Sequence, residues 1–158
     1  LIARNAPERF ERVLAAIHGP SGPVESFIER LPWTAGQLVT VLCVAPAPPL
    51  LSSESDPADH NTAGLREIGD SWVRAARERV LEAAQSLALA GLGPSGLVRR
   101  GSPVEQILAA ARDLEADLIV VGGRRRPDAG GLRLGSVAAR VVDRAPVSCL
   151  IVPTDTGA

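Results

Sequence analysis

The residues whose types and spacing could do chemistry lie between two apolar runs near the carboxyl end of the chain. Leu118-Ile119-Val120-Val121 stops at Gly122-Gly123, and a stretch rich in Arg and Gly follows from Arg124 to Leu134. Gly135-Ser136 then opens an apolar-periodic segment, Val137 to Arg144, which Ala145-Pro146 ends before a second apolar run, Val147 to Val152. The pattern predicts strand, glycine-bounded loop, helix, strand. Such a loop can aim backbone N–H groups and a helix N-terminus at an anion, so the chemistry on offer is phosphate binding. The plainer account of the same residues needs no ligand: Gly122 turns the chain, Ser136 caps a helix for about 1 kcal/mol, and Arg124, Arg125 and Arg126 sit in solvent. No nucleophile–base pair is legible, because His18 and Ser21 are neighbours in sequence only and no motif supplies an acid. With two His and no Cys-His spacing pattern, a structural metal site is not expected.

The elements that must position these residues read as an alternation. Arg12 to Ile17 is a short apolar run closed by His18-Gly19-Pro20-Ser21-Gly22-Pro23, a buried strand and a turn. Pro23 suits the first helical position and Glu25 the first turn, with Val24, Phe27, Ile28 and Leu31 at helical spacing and Pro32 as the limit. Gln37 to Val44 predicts a second strand covered on both faces. Ala45 to Thr62, which contains His60, lacks periodicity and predicts a long mobile loop. A long helix over 63–89 follows, with Ile68, Trp72, Ala76, Val80, Ala84 and Leu87 as its apolar face and Gly91 and Gly93-Pro94 as its stop. Leu97 to Arg100 predicts a third strand near a sheet edge. Ser102-Pro103-Val104-Glu105 carries the signature of a capping box, and Val104, Ile107, Leu108, Ala111 and Leu114 face the core. The order βαβαβαβαβ predicts an α/β fold: a doubly wound, five-stranded parallel sheet with helices on both faces. Ligands on such sheets bind beyond the carboxyl ends of the strands at the switch point, here at His18 and Gly122.

Composition sets the bounds. One domain is expected from 158 residues, of which 46% are hydrophobic and 22% charged. A net charge of −1 gives no bulk electrostatic attraction to nucleic acid or to an anionic membrane, and aromatic residues at 3% are too few for a base-stacking surface. Trp33 and Trp72 are assigned to core or helix packing. Cys43 and Cys149 sit within apolar runs, which predicts reduced, buried thiols and a cytoplasmic location. No apolar run approaches the roughly 18–20 residues of a membrane span, and no signal peptide is visible. The chain does not begin with Met, so it is expected to be a processed or excised piece. The domain is placed at 12–154, with 1–11 as a lead-in and 155–158 as a tail.

From about Arg12 to Pro153 the chain resembles the universal stress protein family. The resemblance rests on Gly101-Ser102-Pro103 leading into a helix, on Ala116-Asp117-Leu118-Ile119-Val120-Val121-Gly122, and on Leu134-Gly135-Ser136-Val137, Ala145-Pro146 and the closing Val147–Val152 strand. It implies a Rossmann-like fold of five parallel strands and a homodimer paired through the last strand, Val147 to Val152. It also implies a stress-response regulatory module that binds ATP or a related adenine nucleotide, with or without Mg. Family members that bind ATP carry glycine, two residues, glycine, nine residues, then glycine with Ser or Thr. Here Gly122 and Gly135-Ser136 match at the right separation, while the middle glycine position holds Arg125. Arg adds bulk where a phosphate would lie, and also a cation with five donors. At the end of the first strand, where such members commonly carry Asp, this chain has His18, which when neutral accepts one hydrogen bond. The resemblance further places Ala16 and Val44 on the adenine side and Val121 and Val137 beside the phosphate loop.

Three readings stay open at this point. The first is a nucleotide-binding regulatory module with, at most, weak incidental ATP hydrolysis. The second is a dimeric interaction protein of the same fold that has lost nucleotide binding and uses no cofactor, as Arg125 and His18 suggest. The third is an adenylating or pyrophosphatase-type enzyme, for which His18-Gly19-Pro20-Ser21-Gly22 is a weak fragment of the required loop.

Overall fold

The apolar runs pair into one sheet in which the chain winds outward in both directions from its first strand. The computed structural model describes residues 2, 9–18, 22–34, 36–47, 60–126, 131–132 and 134–155, with the backbone alone at 60–63, 124–126, 131–132 and 155. Strand β1 (Arg12–Ile17) lies between β2 (Leu38–Ala45) and β4 (Leu118–Arg126), and both pairings are parallel. Strand β3 (Ser95–Arg100) adds in parallel to β2 and ends the sheet on that side, as its arginines predicted. Strand β6 (Ser148–Asp155) adds in parallel to β4 on the other side. The five parallel strands therefore run β3-β2-β1-β4-β6, and the winding reverses between β1 and β4.

Side-chain alternation along each strand divides the core into two layers. Val13, Ala15, Ile17, Val39, Val41 and Val120 face helices α1 (Pro23–Glu29) and α2 (His60–Leu89). Leu14, Leu42, Ile119, Val121 and Cys149 face α3 (Pro103–Asp113) and α4 (Ser136–Arg144). Asp117 fixes the register at the switch point. Its Oδ2 accepts the Glu11 N–H (2.7 Å) and its Oδ1 the Arg12 N–H (3.1 Å), while the Asp117 N–H donates to the Arg12 carbonyl (3.0 Å). The outer edge of β6 is met by Ile2, whose N–H and carbonyl both bond to Cys149 at 2.8 and 2.9 Å. Cys43 and Cys149 are buried and are not joined in a disulfide. No helix of the described residues is long and apolar enough to cross a membrane.

Several expectations need correction. The fourth strand does not stop at Gly122-Gly123. It runs on to Arg126, in register with β6 from Gly122↔Val152 to Arg125↔Asp155. Past Val121 it outruns β1, and a two-residue strand, β5 (Gly131–Leu132), pairs antiparallel with Arg125 and Arg126. Of the stretch that the Arg and Gly content marked as loop, Arg124 to Arg126 and Gly131–Leu132 are strand, while 127–130 and 133 lie outside the described residues. The long helix begins at His60, inside the expected loop, of which 48–59 lie outside the described residues. Its buried face is Ala76, Val80, Ala83 and Leu87, with Val73 packed beside it, whereas Ile68 and Trp72 are exposed. Residues taken strictly four apart drift about 40° per step around a helix of 3.6 residues per turn, so a line through Ile68, Trp72, Ala76 and Val80 leaves the core side. Trp33 packs against the core, and its Nε1–H donates to the Ile28 carbonyl (2.6 Å). Ser102 makes no side-chain cap bond, and Glu105 turns to Arg144 of α4 (2.6 Å) instead of closing a capping box. Gly135, not Ser136, occupies the N-cap of α4.

Candidate functional site

Parallel strands end on the same side of the sheet, and at the reversal between β1 and β4 the flanking helices diverge, which leaves a crevice. A cavity of about 540 Å³ occupies it. Its wall takes Ala16, Ile17 and His18 from the end of β1, Leu42 and Val44 from β2, Val121 and Gly122 from β4, and Gly135 to Ala138 from the start of α4. Pro23, Val24 and Glu25 of α1, Pro103 and Ile107 of α3, and Thr154 of β6 complete the described lining. The volume and the mainly apolar wall with few polar groups suit a small organic ligand.

Of the residues singled out from sequence, Ala16, His18, Val44, Val121, Gly122, Gly135, Ser136 and Val137 all line this one cavity, although they come from four separate stretches of chain. The side chain of Arg125 lies outside the described residues. Its backbone is extended and paired on both edges, to Asp155 and to Leu132. Arg125 is therefore not part of a loop that folds over a ligand.

The start of α4 supplies backbone donors to the wall. The first bond within the helix runs from the Ala139 N–H to the Gly135 carbonyl (2.9 Å). The N–H groups of Ser136, Val137 and Ala138 thus precede the ladder and have no acceptor within the helix. Gly135 holds an extended conformation there, φ −60° and ψ 159°, and none of Gly122, Gly123 and Gly135 takes the left-handed conformation that motif glycines are usually kept for. Gly122 is required for another reason. A Cβ at that position would lie 3.0 Å from Thr154 Cγ2 and 3.6 Å from Val24 Cγ2, so the glycine lets β6 and α1 close on β4. The Thr154 hydroxyl is itself engaged, donating to the Gly123 carbonyl (3.1 Å).

Glu25 is the residue that sequence reasoning placed correctly in a helix's first turn and missed as part of the site. It is only 6% exposed, yet it lines the cavity. Its Oε2 accepts the Gly22 N–H (3.2 Å) and no described cation pairs with it. Burial pushes its carboxyl above the ordinary carboxylate range, against the lowering effect of backbone hydrogen bonds at Glu25 and Gly22; Glu29 adds a small rise and Arg79 a small opposing pull. The available signal was topological: the first helix after β1 of a doubly wound sheet begins at the ligand crevice. His18 is exposed at the cavity mouth. Among the described residues no group of three or more His, Cys, Asp and Glu side chains could hold a metal ion.

Comparison with known proteins bears on the family and the fold. The family model described as the universal stress protein family matches residues 9–153. A relative from Thermus aquaticus, described as a universal stress protein in the QAH/OAS sulfhydrylase 3′ region, is 36% identical over 91 residues, which take in 54% of this chain and 66% of that protein. Among solved structures, the universal stress protein UspA from Lactobacillus plantarum superposes with a TM-score of 0.68 at 21% identity, covering 92% of this chain and 99% of its own. The universal stress protein from Archaeoglobus fulgidus in complex with dAMP gives a TM-score of 0.55 at 18% identity, over 90% and 97% of the two chains. Two further structures of the same fold are of a universal stress protein in complex with cAMP and of an Arabidopsis thaliana family protein with AMP bound.

Proposed function

The chain belongs to the universal stress protein family, and from that premise we propose that it is a stress-response regulatory module that binds an adenine nucleotide, ATP or a related one, at the switch-point cavity. The observation that carries this reading is the convergence of the ends of β1, β2 and β4 and the start of α4 on one cavity of ligand size. Structural neighbours solved with cAMP, dAMP and AMP support the ligand class. In this reading Ala16 and Val44 flank the base, while Gly135, Ser136 and Val137 hold phosphate with backbone donors. Mg accompanies the nucleotide where it is a polyphosphate. The module works in the cytoplasm, a reading supported by its two buried cysteines, which form no disulfide. Any hydrolysis of a bound ATP is weak and incidental to binding.

The test is direct. Protein purified without added nucleotide is denatured and any released small molecule identified by mass spectrometry, while the stripped protein is titrated with adenine nucleotides. A free ligand at 100 times its Kd stabilises the fold by about 2.7 kcal/mol, which at this chain length raises Tm by roughly 5–10 °C. An empty protein whose Tm ignores millimolar AMP, cAMP and Mg-ATP would leave the second reading, an interaction protein of this fold without nucleotide; the extension of β4 and His18 at the mouth are what favour that alternative. The proposal also includes a homodimer paired through the last strand, 147–152, supported by the position of β6 at a sheet edge. Sedimentation that finds only monomer at micromolar and higher concentrations would remove that part.

A further inference from the structure

We infer that the outer edge of β6 is contested: Ile2 of the chain itself holds the backbone groups that a second copy of this chain needs, and so acts as a strap that opposes pairing through the last strand. This rests on the homodimer reading above and adds its control.

The contact is a complete one. The Ile2 N–H donates to the Cys149 carbonyl (2.8 Å) and the Cys149 N–H donates to the Ile2 carbonyl (2.9 Å), in an antiparallel bridge. Two residues that exchange both bonds form the hydrogen-bonded pair of an antiparallel ladder. Ser148 and Cys149 are 0% and 1% exposed, although β6 ends the run of parallel strands on its side. Ile2 is itself half-buried, as are Leu150 and Ile151 further along the edge.

A homodimer needs the same groups. Two copies related by a two-fold axis pair their 147–152 segments antiparallel and self-complementarily. Outward-facing groups alternate along a strand, so the bonds at Cys149 place residues 147, 149 and 151 on the outer edge. Every two-fold register that forms more than one hydrogen-bonded pair within the segment uses Cys149, facing residue 147, 149 or 151 of the second copy. Ile2 and the second copy therefore exclude each other at that residue.

The contest is weighted toward the strap by its attachment. Asp117 accepts the N–H groups of Glu11 and Arg12 at 2.7 and 3.1 Å. It directly precedes Leu118, which is in register with Ser148 on β6. The chain that leads back to Ile2 is thus anchored one strand away from the contact it makes. A short tether gives an effective concentration on the order of millimolar, whereas a second copy arrives only at its concentration in solution.

The experiment compares the native chain with Ile2→Pro, which removes the N–H that donates to Cys149. Sedimentation gives the dimer dissociation constant of each, and amide hydrogen exchange is followed in samples diluted to monomer. The variant should dimerise at least tenfold more tightly: two straps open for each dimer, so a roughly threefold shift in each is squared. In the dilute native chain the Cys149 amide should exchange slowly, and in Ile2→Pro it should exchange faster. The Leu150 amide, which faces β4, stays protected in both and reports that the variant is folded. Equal dissociation constants would overturn the inference and leave the homodimer standing. A weaker dimer in the variant would overturn it too, since Ile2 would then be joining two copies rather than separating them. A Cys149 amide unprotected in the dilute native chain would remove the strap itself. If both chains stay monomeric at every concentration, the homodimer reading falls together with the inference.

Discussion

Gly122→Ala offers the sharpest test of how the floor of the cavity is built. The glycine's φ is not in the left-handed region, so the backbone imposes no strain on alanine. What the new methyl meets is Thr154 Cγ2 at 3.0 Å, with Val24 Cγ2 behind it at 3.6 Å. Thr154 cannot simply rotate away, because its hydroxyl donates to the Gly123 carbonyl (3.1 Å). Overpacking of a well-filled site costs about 1–3 kcal/mol, and loss of the hydroxyl's hydrogen bond adds about 0.5–1.5 kcal/mol if Thr154 turns. The reduced freedom of the unfolded chain returns about 0.4–1 kcal/mol. The net expectation is a loss of roughly 1–3 kcal/mol, or a fall in Tm of about 3–10 °C. Urea unfolding followed by tryptophan fluorescence should show a lower midpoint with an unchanged slope. The decisive control is Thr154→Ser, which removes Cγ2 and keeps the hydroxyl. In the double variant the alanine should cost only a few tenths of a kcal/mol. If Gly122→Ala is as destabilising in the Thr154→Ser background as in the native one, the steric account is wrong and the glycine serves something else.

Other expectations follow from burial and charge. Glu25→Gln keeps the shape and an acceptor for Gly22 while removing a desolvated charge. Because the folded-state pKa is raised, the native carboxyl favours the fold at acid pH and loses that contribution as pH rises through its folded value. The variant should therefore melt higher than the native chain at pH 8, with the gain vanishing toward pH 4; a pH-independent difference would count against burial as the cause. On α2, Leu87 is fully buried and Leu89 is 92% exposed. Leu87→Ala should cost about 2–5 kcal/mol and Leu89→Ala less than about 0.5 kcal/mol, as measured by the same urea titration. Asp117→Asn turns one of two acceptors into a donor facing an N–H of Glu11 or Arg12, and should cost about 1–2 kcal/mol. A neutral result would mean that those two bonds do not hold β1 in register.

The fold was legible because its strands are nearly unbroken apolar runs, such as Val39 to Val44, that sit between two helical layers. Pro23 marked the first turn of α1 correctly, and the glycines and strand ends of the site converge because parallel topology brings every strand's carboxyl end to one side. The rest depended on partners remote in sequence. Arg124 to Arg126 carry no strand signal of their own, and only the reach of β6 to Asp155 and the return of β5 hold them extended. The role of Glu25 as a cavity wall could not be read from its helix position, since the same residue in a first turn is ordinarily a solvated dipole partner. Glu105 and Ser102 showed the capping pattern, but Arg144 on a neighbouring helix competes for the carboxylate.

The bonds from Ile2 to Cys149 have a consequence for the edge of β6. Both the N–H and the carbonyl of Cys149 point outward to make them. Since these pairs alternate along a strand, Ile151 and residue 153 face the same way. Residue 153 is proline, which has a carbonyl but no N–H to offer. An incoming strand therefore finds two complete rungs, at Cys149 and Ile151, and then a missing one. The edge acts as a gauge of length: it can seat a short strand, the chain's own Ile2 already holds the first rung, and the gap at Pro153 interrupts the long, unbroken pairing through which exposed sheet edges grow into fibres.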